Sequence, residues 1–231
     1  MTRHFAVSLL IVTFLVLTDG TRVCVQPEQA KETQKKLVRI IVLGHETHGK
    51  STLTSAITKV LSEEKRAQFV AYKESADPPE IEVQGVKVKA TEVTYETSKQ
   101  RYSHVDCHRN TDCVALLSSS KVKFDGAIVV VAANDGPMPQ TREHLLLARK
   151  AGIPSIIVYI NKIDLVKDDP ELVELVELMM RELLGTYKFS EKSIVIKGSA
   201  KNALSDRSRR NEMKSINDLL KAMDDTFKMQ M

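Results

Sequence analysis

From Leu37 onward the chain alternates between two hydrophobic periods. Val38 to Leu43 (V-R-I-I-V-L) is a β-branched run ending at Gly44, and Ser51 to Leu61 then places Leu53, Ile57, Val60 and Leu61 at helical spacing. Strand, glycine turn and helix therefore follow one another. Val86 to Tyr95 alternates as one arm of an extended hairpin, and Arg101 to Asp106 can pair with it. Ala127 to Ala132 (A-I-V-V-V-A) and Ser155 to Ile160 (S-I-I-V-Y-I) are nearly apolar throughout, the pattern of strands covered on both faces, with a helical stretch from Thr141 to Ala151 between them. Asp169-Pro170 opens a further helix whose Leu172, Leu175, Val176, Met179 and Leu183 form one stripe, stopped at Gly185. Ser193 to Lys197 adds a strand and Ile216 to Met223 a helix. The alternation predicts an α/β fold with a mostly parallel central sheet flanked by helices.

The first 36 residues break this pattern. Behind Arg3, Phe5 to Leu17 is a thirteen-residue apolar run interrupted only by Ser8 and Thr13, and Thr18 and Gly20 offer small residues before Thr21. That is the outline of a signal peptide. As a helix at ~1.5 Å per residue the run reaches about 20 Å, short of a hydrocarbon core of about 30 Å, so no transmembrane span is expected in the mature chain. The expected destination is the secretory pathway or the extracellular space. The mitochondrial matrix is the alternative, although a presequence would be amphipathic and rich in Arg. Residues 26–36 (Q-P-E-Q-A-K-E-T-Q-K-K) are too polar to pack. The predicted organisation is a leader at 1–20, a linker at 21–36, one domain at 37–226 and a tail at 227–231.

Composition narrows the class of molecule. The 231 residues are 42% hydrophobic and 28% charged, the balance of an ordinary globular chain with enough length for one extended core. A formal charge of +4 is too slight to imply a nucleic-acid partner, and the basic runs Lys35-Lys36 and Arg207 to Arg210 are short enough to be solvated faces. Three cysteines, Cys24, Cys107 and Cys113, exclude a disulfide framework. His104, Cys107, His108 and Cys113 are zinc-ligand types within ten residues, but their spacing matches no standard zinc motif. Cys107 is expected at a strand end in the core and the other three on the surface.

The chemistry-bearing segments lie at strand ends. Gly44 to Ser51 reads G-H-E-T-H-G-K-S, a full phosphate-loop pattern between a strand and a helix. The candidate phosphate-binding set is Gly44, His45, Glu46, Thr47, His48, Gly49, Lys50, Ser51 and Thr52. Backbone amides would cradle α and β phosphates, Lys50 would add a point charge to the β and γ oxygens, and the Ser51 hydroxyl would ligate Mg²⁺. Asn161-Lys162-Ile163-Asp164 closes the strand begun at Ser155. The Asp164 carboxylate can accept from both guanine N1–H and the 2-amino group, donors that adenine lacks, while Asn161 and the Lys162 stem would brace the loop and cover the base. Ser199-Ala200-Lys201 follows the next strand, placed to offer a backbone N–H to guanine O6.

With these segments in order, the chain from Leu37 to Asp225 resembles the GTP-binding domain of elongation factor Tu of the bacterial and mitochondrial type. The resemblance is carried by N-D-G-P-M-P-Q-T-R-E-H-L-L-L from Asn134, Y-S-H-V-D-C from Tyr102, L-T-S-A-I-T-K-V-L from Leu53 and S-I-N-D-L-L-K-A-M-D-D from Ser215. It implies a P-loop NTPase fold, a Ras-like G domain of the translational GTPase family, that binds GTP or GDP with Mg²⁺ held by Ser51 and, through water, by Asp106. Two β-barrel domains that help grip aminoacyl-tRNA follow in the family. They are expected to be absent from a chain ending at Met231, so aminoacyl-tRNA binding is not expected, whereas a nucleotide-exchange factor is an allowed partner.

Departures from the family concentrate at its switches. The second switch has Asp, any residue, Pro, Gly, His, where this chain has Asp106, Cys107, His108, Arg109, Asn110. Arg109 replaces a glycine and so narrows the backbone's choices, and Asn110 aligns with the histidine that helps position water, making it the candidate catalytic residue. An amide carries neither proton nor charge as imidazole does. In the first switch the family's Gly-Ile-Thr becomes Gly85-Val86-Lys87, replacing a metal-facing hydroxyl with an ammonium. Glu46 and Thr47 stand where the family has Val and Asp. The expected function is guanine-nucleotide binding that favours GDP, with impaired hydrolysis and switching. An active GTPase of translation elongation is one alternative, and a non-enzymatic interaction module or truncated paralogue is another.

Overall fold

The computed structural model describes residues 35–71, 79–205 and 209–228, with residues 209–212 described in backbone only. The leader and most of the linker lie outside the described residues. In chain order the elements are β1 (Leu37–Leu43), α1 (Lys50–Glu63), β2 (Glu80–Val83), β3 (Val86–Glu96), β4 (Arg101–Cys107), α2 (Asn110–Ser118) and β5 (Gly126–Ala132). Then come α3 (Pro139–Lys150), β6 (Ile156–Asn161), α4 (Pro170–Thr186), β7 (Val195–Lys197), α5 (Ala200–Leu204) and α6 (Arg209–Thr226).

The described strands form one sheet in the order β2-β3-β4-β1-β5-β6-β7. From β4 to β7 every pairing is parallel, with Ile41 opposite both Val105 and Ala127, whereas β3 pairs antiparallel with β2 and β4. The two-residue turn Gln84-Gly85 joins β2 to β3 with both residues at positive φ, 48° and 85°, the turn whose twist suits a hairpin. The α/β expectation of a mostly parallel sheet flanked by helices is met.

Period-two alternation splits the core between the two faces. Ile41, Leu43, Val129, Val131, Val158 and Ile160 pack under α2, α3 and α4, against residues such as Leu116, Leu145 and Met180. Their neighbours Ile40, Val42, Ile128, Val130, Ile157 and Tyr159 face α1 and α6, against Leu53, Ile57, Leu219 and Met223. Because β4, β1, β5, β6 and β7 run the same way, the loops that follow them meet at one edge of the sheet, where α/β folds place their ligands.

Several expectations are corrected. The α4 helix does not stop at Gly185 but runs through it to Thr186, and the left-handed residue after it is Lys188 at φ 63°. The missing side chain of Gly185 leaves room for Glu191, whose Oε1 would stand 2.3 Å from a Cβ there. The buried face of α4 is Val176, Met180, Leu183 and Leu184, and Leu175 is 51% exposed, so the stripe is turned from the one predicted. Phe227, assigned to a tail, is fully buried, and Gln100 Nε2 donates to its carbonyl at 2.7 Å. Lys35, assigned to the linker, donates to the Thr97 carbonyl at 2.7 Å and pairs with Glu96.

Of the zinc-type residues, Cys107 is a buried strand end as expected, but His104 and Cys113 are buried as well. His104 projects toward α1, where it meets Thr54, and Cys107 belongs to the core under α2. Strand alternation sends the two side chains to opposite faces, so they cannot share an ion.

Candidate functional site

The loop between β1 and α1 is shaped by two glycines. Gly44 has φ 134°, and a Cβ on it would lie 2.2 Å from the Val130 carbonyl oxygen. Gly49 has φ 86°, and a Cβ on it would lie 2.5 Å from Asn161 Nδ2. Neither position tolerates a side chain. Between them His45 Nδ1 accepts from the Thr47 amide at 3.4 Å and lies 3.0 Å from Thr47 Oγ1, closing the turn locally. Lys50, 4% exposed, donates through Nζ to the carbonyls of Gly44 and His45 at 3.1 Å each. Its ammonium is thereby held over the loop, while the first amides of α1 have no intrahelical acceptor and present the helix's positive end. Loop and helix end together form an anion cradle.

His48 fills the space behind this loop. It is fully buried, and its Nε2 lies 3.7 Å from an Asp135 carboxylate oxygen. Burial first, and His45 second, push its pKa down to about 4, so it is neutral at physiological pH. A second cation behind the cradle is therefore absent at pH 7.

The opposite wall is set by Asn161 at the end of β6. Its Nδ2 donates to the His48 carbonyl at 2.9 Å, and its Oδ1 accepts from the Ala200 amide at 3.0 Å. One side chain thus ties the phosphate loop to the loop after β7. Within Ser199-Ala200-Lys201, the segment expected to offer a backbone N–H to guanine O6, the Ala200 N–H is engaged by Asn161. Ser199 caps α5, its Oγ accepting from the Asn202 amide at 3.2 Å. Lys162 takes a left-handed conformation at φ 61°, turning the chain so that Asp164 follows in a single 3₁₀ turn. Asp164 Oδ1 is buried and has no partner. A cleft of about 780 Å³ joins these parts, bounded by Glu46, Thr47, Gly49, Lys50, Ser51 and Thr52 on one side and by Asn161, Lys162, Asp164 and Lys201 on the other.

Asp106 stands at the inner end of β4, 1% exposed. Burial raises its carboxyl pKa, opposed by the neighbouring Ser51 hydroxyl and Lys50 ammonium. Its Oδ2 accepts from Thr54 Oγ1 at 3.4 Å, and Oδ1 has no partner. The Ser51 hydroxyl and the Asp106 carboxylate with its open oxygen are hard oxygen donors of the kind that suit Mg²⁺.

A family model for the elongation factor Tu GTP binding domain matches residues 35–229. The chain belongs to that family. As a member of that family it is a guanine-nucleotide-binding G domain, and Asp164 is among the residues lining its cleft.

Lys87, Arg109 and Asn110, expected at the switches, lie away from the cleft. Lys87 is exposed on β3 opposite Glu82 and is not among the cleft's lining residues. Arg109 is an exposed N-cap of α2 at φ −108°, an extended backbone that any residue adopts. Asn110 does not point into the cleft: Nδ2 donates to Glu143 Oε2 at 3.0 Å, and Oδ1 meets His144 Nε2 at 2.7 Å. Glu143 and His144 were not singled out from the sequence. The signal available was a histidine on the buried stripe of α3, between Thr141 and Leu145, where an apolar residue is the rule.

Proposed function

We propose that this domain binds GDP and GTP with Mg²⁺, favours GDP, and hydrolyses GTP poorly. The observation that carries the binding half is the buried, unpartnered Asp164 oxygen across a braced cleft from the Lys50 cradle. A buried carboxylate oxygen left without a donor costs about 1–3 kcal/mol, and guanine can supply donors to Asp164 while adenine cannot. Ser51 and Asp106 would hold Mg²⁺, which when bound neutralises charge on the phosphate oxygens. The hydrolysis half is supported by the placement of Lys87, Arg109 and Asn110.

Calorimetry with GDP and ADP in the presence of Mg²⁺ tests the first half. GDP is expected to bind, ADP to give no heat, and Asp164→Ala to weaken GDP by at least about a hundredfold, the loss of two charge-assisted hydrogen bonds. Equal binding of both nucleotides by the unaltered chain would overturn the assignment. For the second half, single-turnover GTP hydrolysis is compared with an Arg109→Gly, Asn110→His, Lys87→Thr variant. The variant is expected to be faster; equal rates would remove the switch argument.

A further inference from the structure

The contacts of Asn110 continue beyond its two neighbours. His144 is fully buried in α3, and its Nδ1 lies 3.2 Å from the Gly44 amide, which opens the phosphate loop. A backbone N–H can only donate, so Nδ1 must be the unprotonated nitrogen and Nε2 must carry the hydrogen given to Asn110. Asn110 then has one workable orientation. Its carbonyl faces the Nε2–H, and its NH₂ faces Glu143, a carboxylate that only accepts. Rotating the amide by half a turn would oppose donor to donor and acceptor to acceptor. Gly44 passes the chain on through its carbonyl, which accepts from Lys50 Nζ at 3.1 Å. The same segment is fastened at its other end, where His108 Nε2 lies 3.0 Å from Thr91 Oγ1 of β3.

Building on the nucleotide-binding reading above, we propose that His144, anchored on Gly44 and reinforced by Glu143, is a positioning residue that parks Asn110 off the cleft and biases the site toward the diphosphate. For the second switch to approach a third phosphate, Asn110 must leave both partners at once. A neutral hydrogen bond is worth about fivefold in such an equilibrium, and one to a carboxylate is worth more when sheltered from water. A state that needs Asn110 free is disfavoured by at least that factor, whereas a diphosphate needs no such release. The effect is one of population: the ligand that requires the released switch binds more weakly by the fraction of molecules already released.

The test uses the full chain with three substitutions. Glu143→Ala truncates an exposed helical position and removes one partner of Asn110. His144→Phe removes the relay, and His144→Gln can restore it, since a glutamine offers an acceptor to Gly44 and a donor to Asn110. His144→Phe is expected to raise GTP affinity relative to GDP by about fivefold, Glu143→Ala, whose bond to Asn110 is exposed, to raise it by less, and His144→Gln to keep the original ratio. Imidazole nitrogen signals of the unaltered chain at pH 7 are expected to show His144 neutral, protonated on Nε2 and bare on Nδ1. The opposite tautomer would overturn the proposal, as would an unchanged affinity ratio in both disruptive variants, or a His144→Gln shift equal to that of His144→Phe. If His144→Phe does not fold, Glu143→Ala and the imidazole signals decide. If the unaltered chain binds no guanine nucleotide, the functional reading fails and the bias fails with it, while the imidazole signals still show whether the relay exists.

Discussion

Three histidines show how burial sets the behaviour of single residues. His48, His104 and His144 are all fully buried, and desolvation is the first cause of their lowered pKa values, to about 4, 3 and 4. His104 is satisfied while neutral, with Tyr95 OH at 2.9 Å from Nδ1 and Thr54 Oγ1 at 3.1 Å from Nε2. In the unfolded chain each imidazole titrates near 6.5. Between that value and the folded values the unfolded state holds more protons, so stability is complete above about pH 6.5 and declines as pH falls toward 4. Each histidine is expected to cost roughly 2 kcal/mol by pH 5. Urea denaturation at pH 7, 6 and 5 checks this, and a midpoint that stays level across the series would contradict it.

Among the elements, β5 and α6 are joined by a close fit. Gly126 begins β5, and a Cβ there would lie 2.3 Å from Cδ1 of the Phe227 ring, just beyond α6. The ring is packed where a side chain would otherwise stand, and Gln100 holds the carbonyl of the same residue. Gly126→Ala is expected to destabilise by about 1–3 kcal/mol through overpacking, and Phe227→Ala by about 3–5 kcal/mol through the cavity it leaves. Because truncating the Phe227 ring opens the room that a methyl group at position 126 needs, the double variant should be less damaged than the two costs combined. Additive costs in denaturant titrations would show that the contact does not decide which residue position 126 accepts.

For the whole molecule, the proposed binding residues come from the ends of β1, β4, β6 and β7 at one sheet edge, so filling the cleft should stabilise the domain as a unit. GDP with Mg²⁺ at a hundred times its dissociation constant is expected to add about 2.7 kcal/mol. For a domain of this size that is a rise of roughly 5–10 °C in Tm, with no rise for ADP. Thermal melts with each nucleotide measure it, and equal shifts would indicate non-specific phosphate binding. Among the described residues no helix is long and apolar enough to cross a membrane. Residues 1–20 carry the proposed secretory destination, for which a mature N-terminus near Thr21 is the expected outcome of N-terminal sequencing. Recovery of the chain only from inside the cell, with Met1 intact, would oppose it.

The amino-acid order by itself determined the parts whose information is local. Apolar runs with β-branched residues marked β1, β5 and β6, helical spacing marked α1, and the spacing of Gly44, Gly49, Lys50 and Ser51 placed the phosphate loop, because a tight turn needs its glycines at fixed offsets. The short β2, α2 and α5 were not legible, since so few residues complete no distinct period. The face predicted for α4 was turned from the one that is buried, since an apolar-rich helix offers two stripes and only the sheet beneath selects one. Tertiary structure alone parted His104 from Cys107, seated Phe227 on Gly126, committed the Ala200 amide to Asn161 and gave Asn110 to Glu143 and His144. Most of these contacts join residues tens of positions apart, and a hydrogen bond across such a distance leaves no periodic trace in the chain. The chain therefore carries the cradle in its spacing, while the packing of α3 against α2 decides where Asn110 sits.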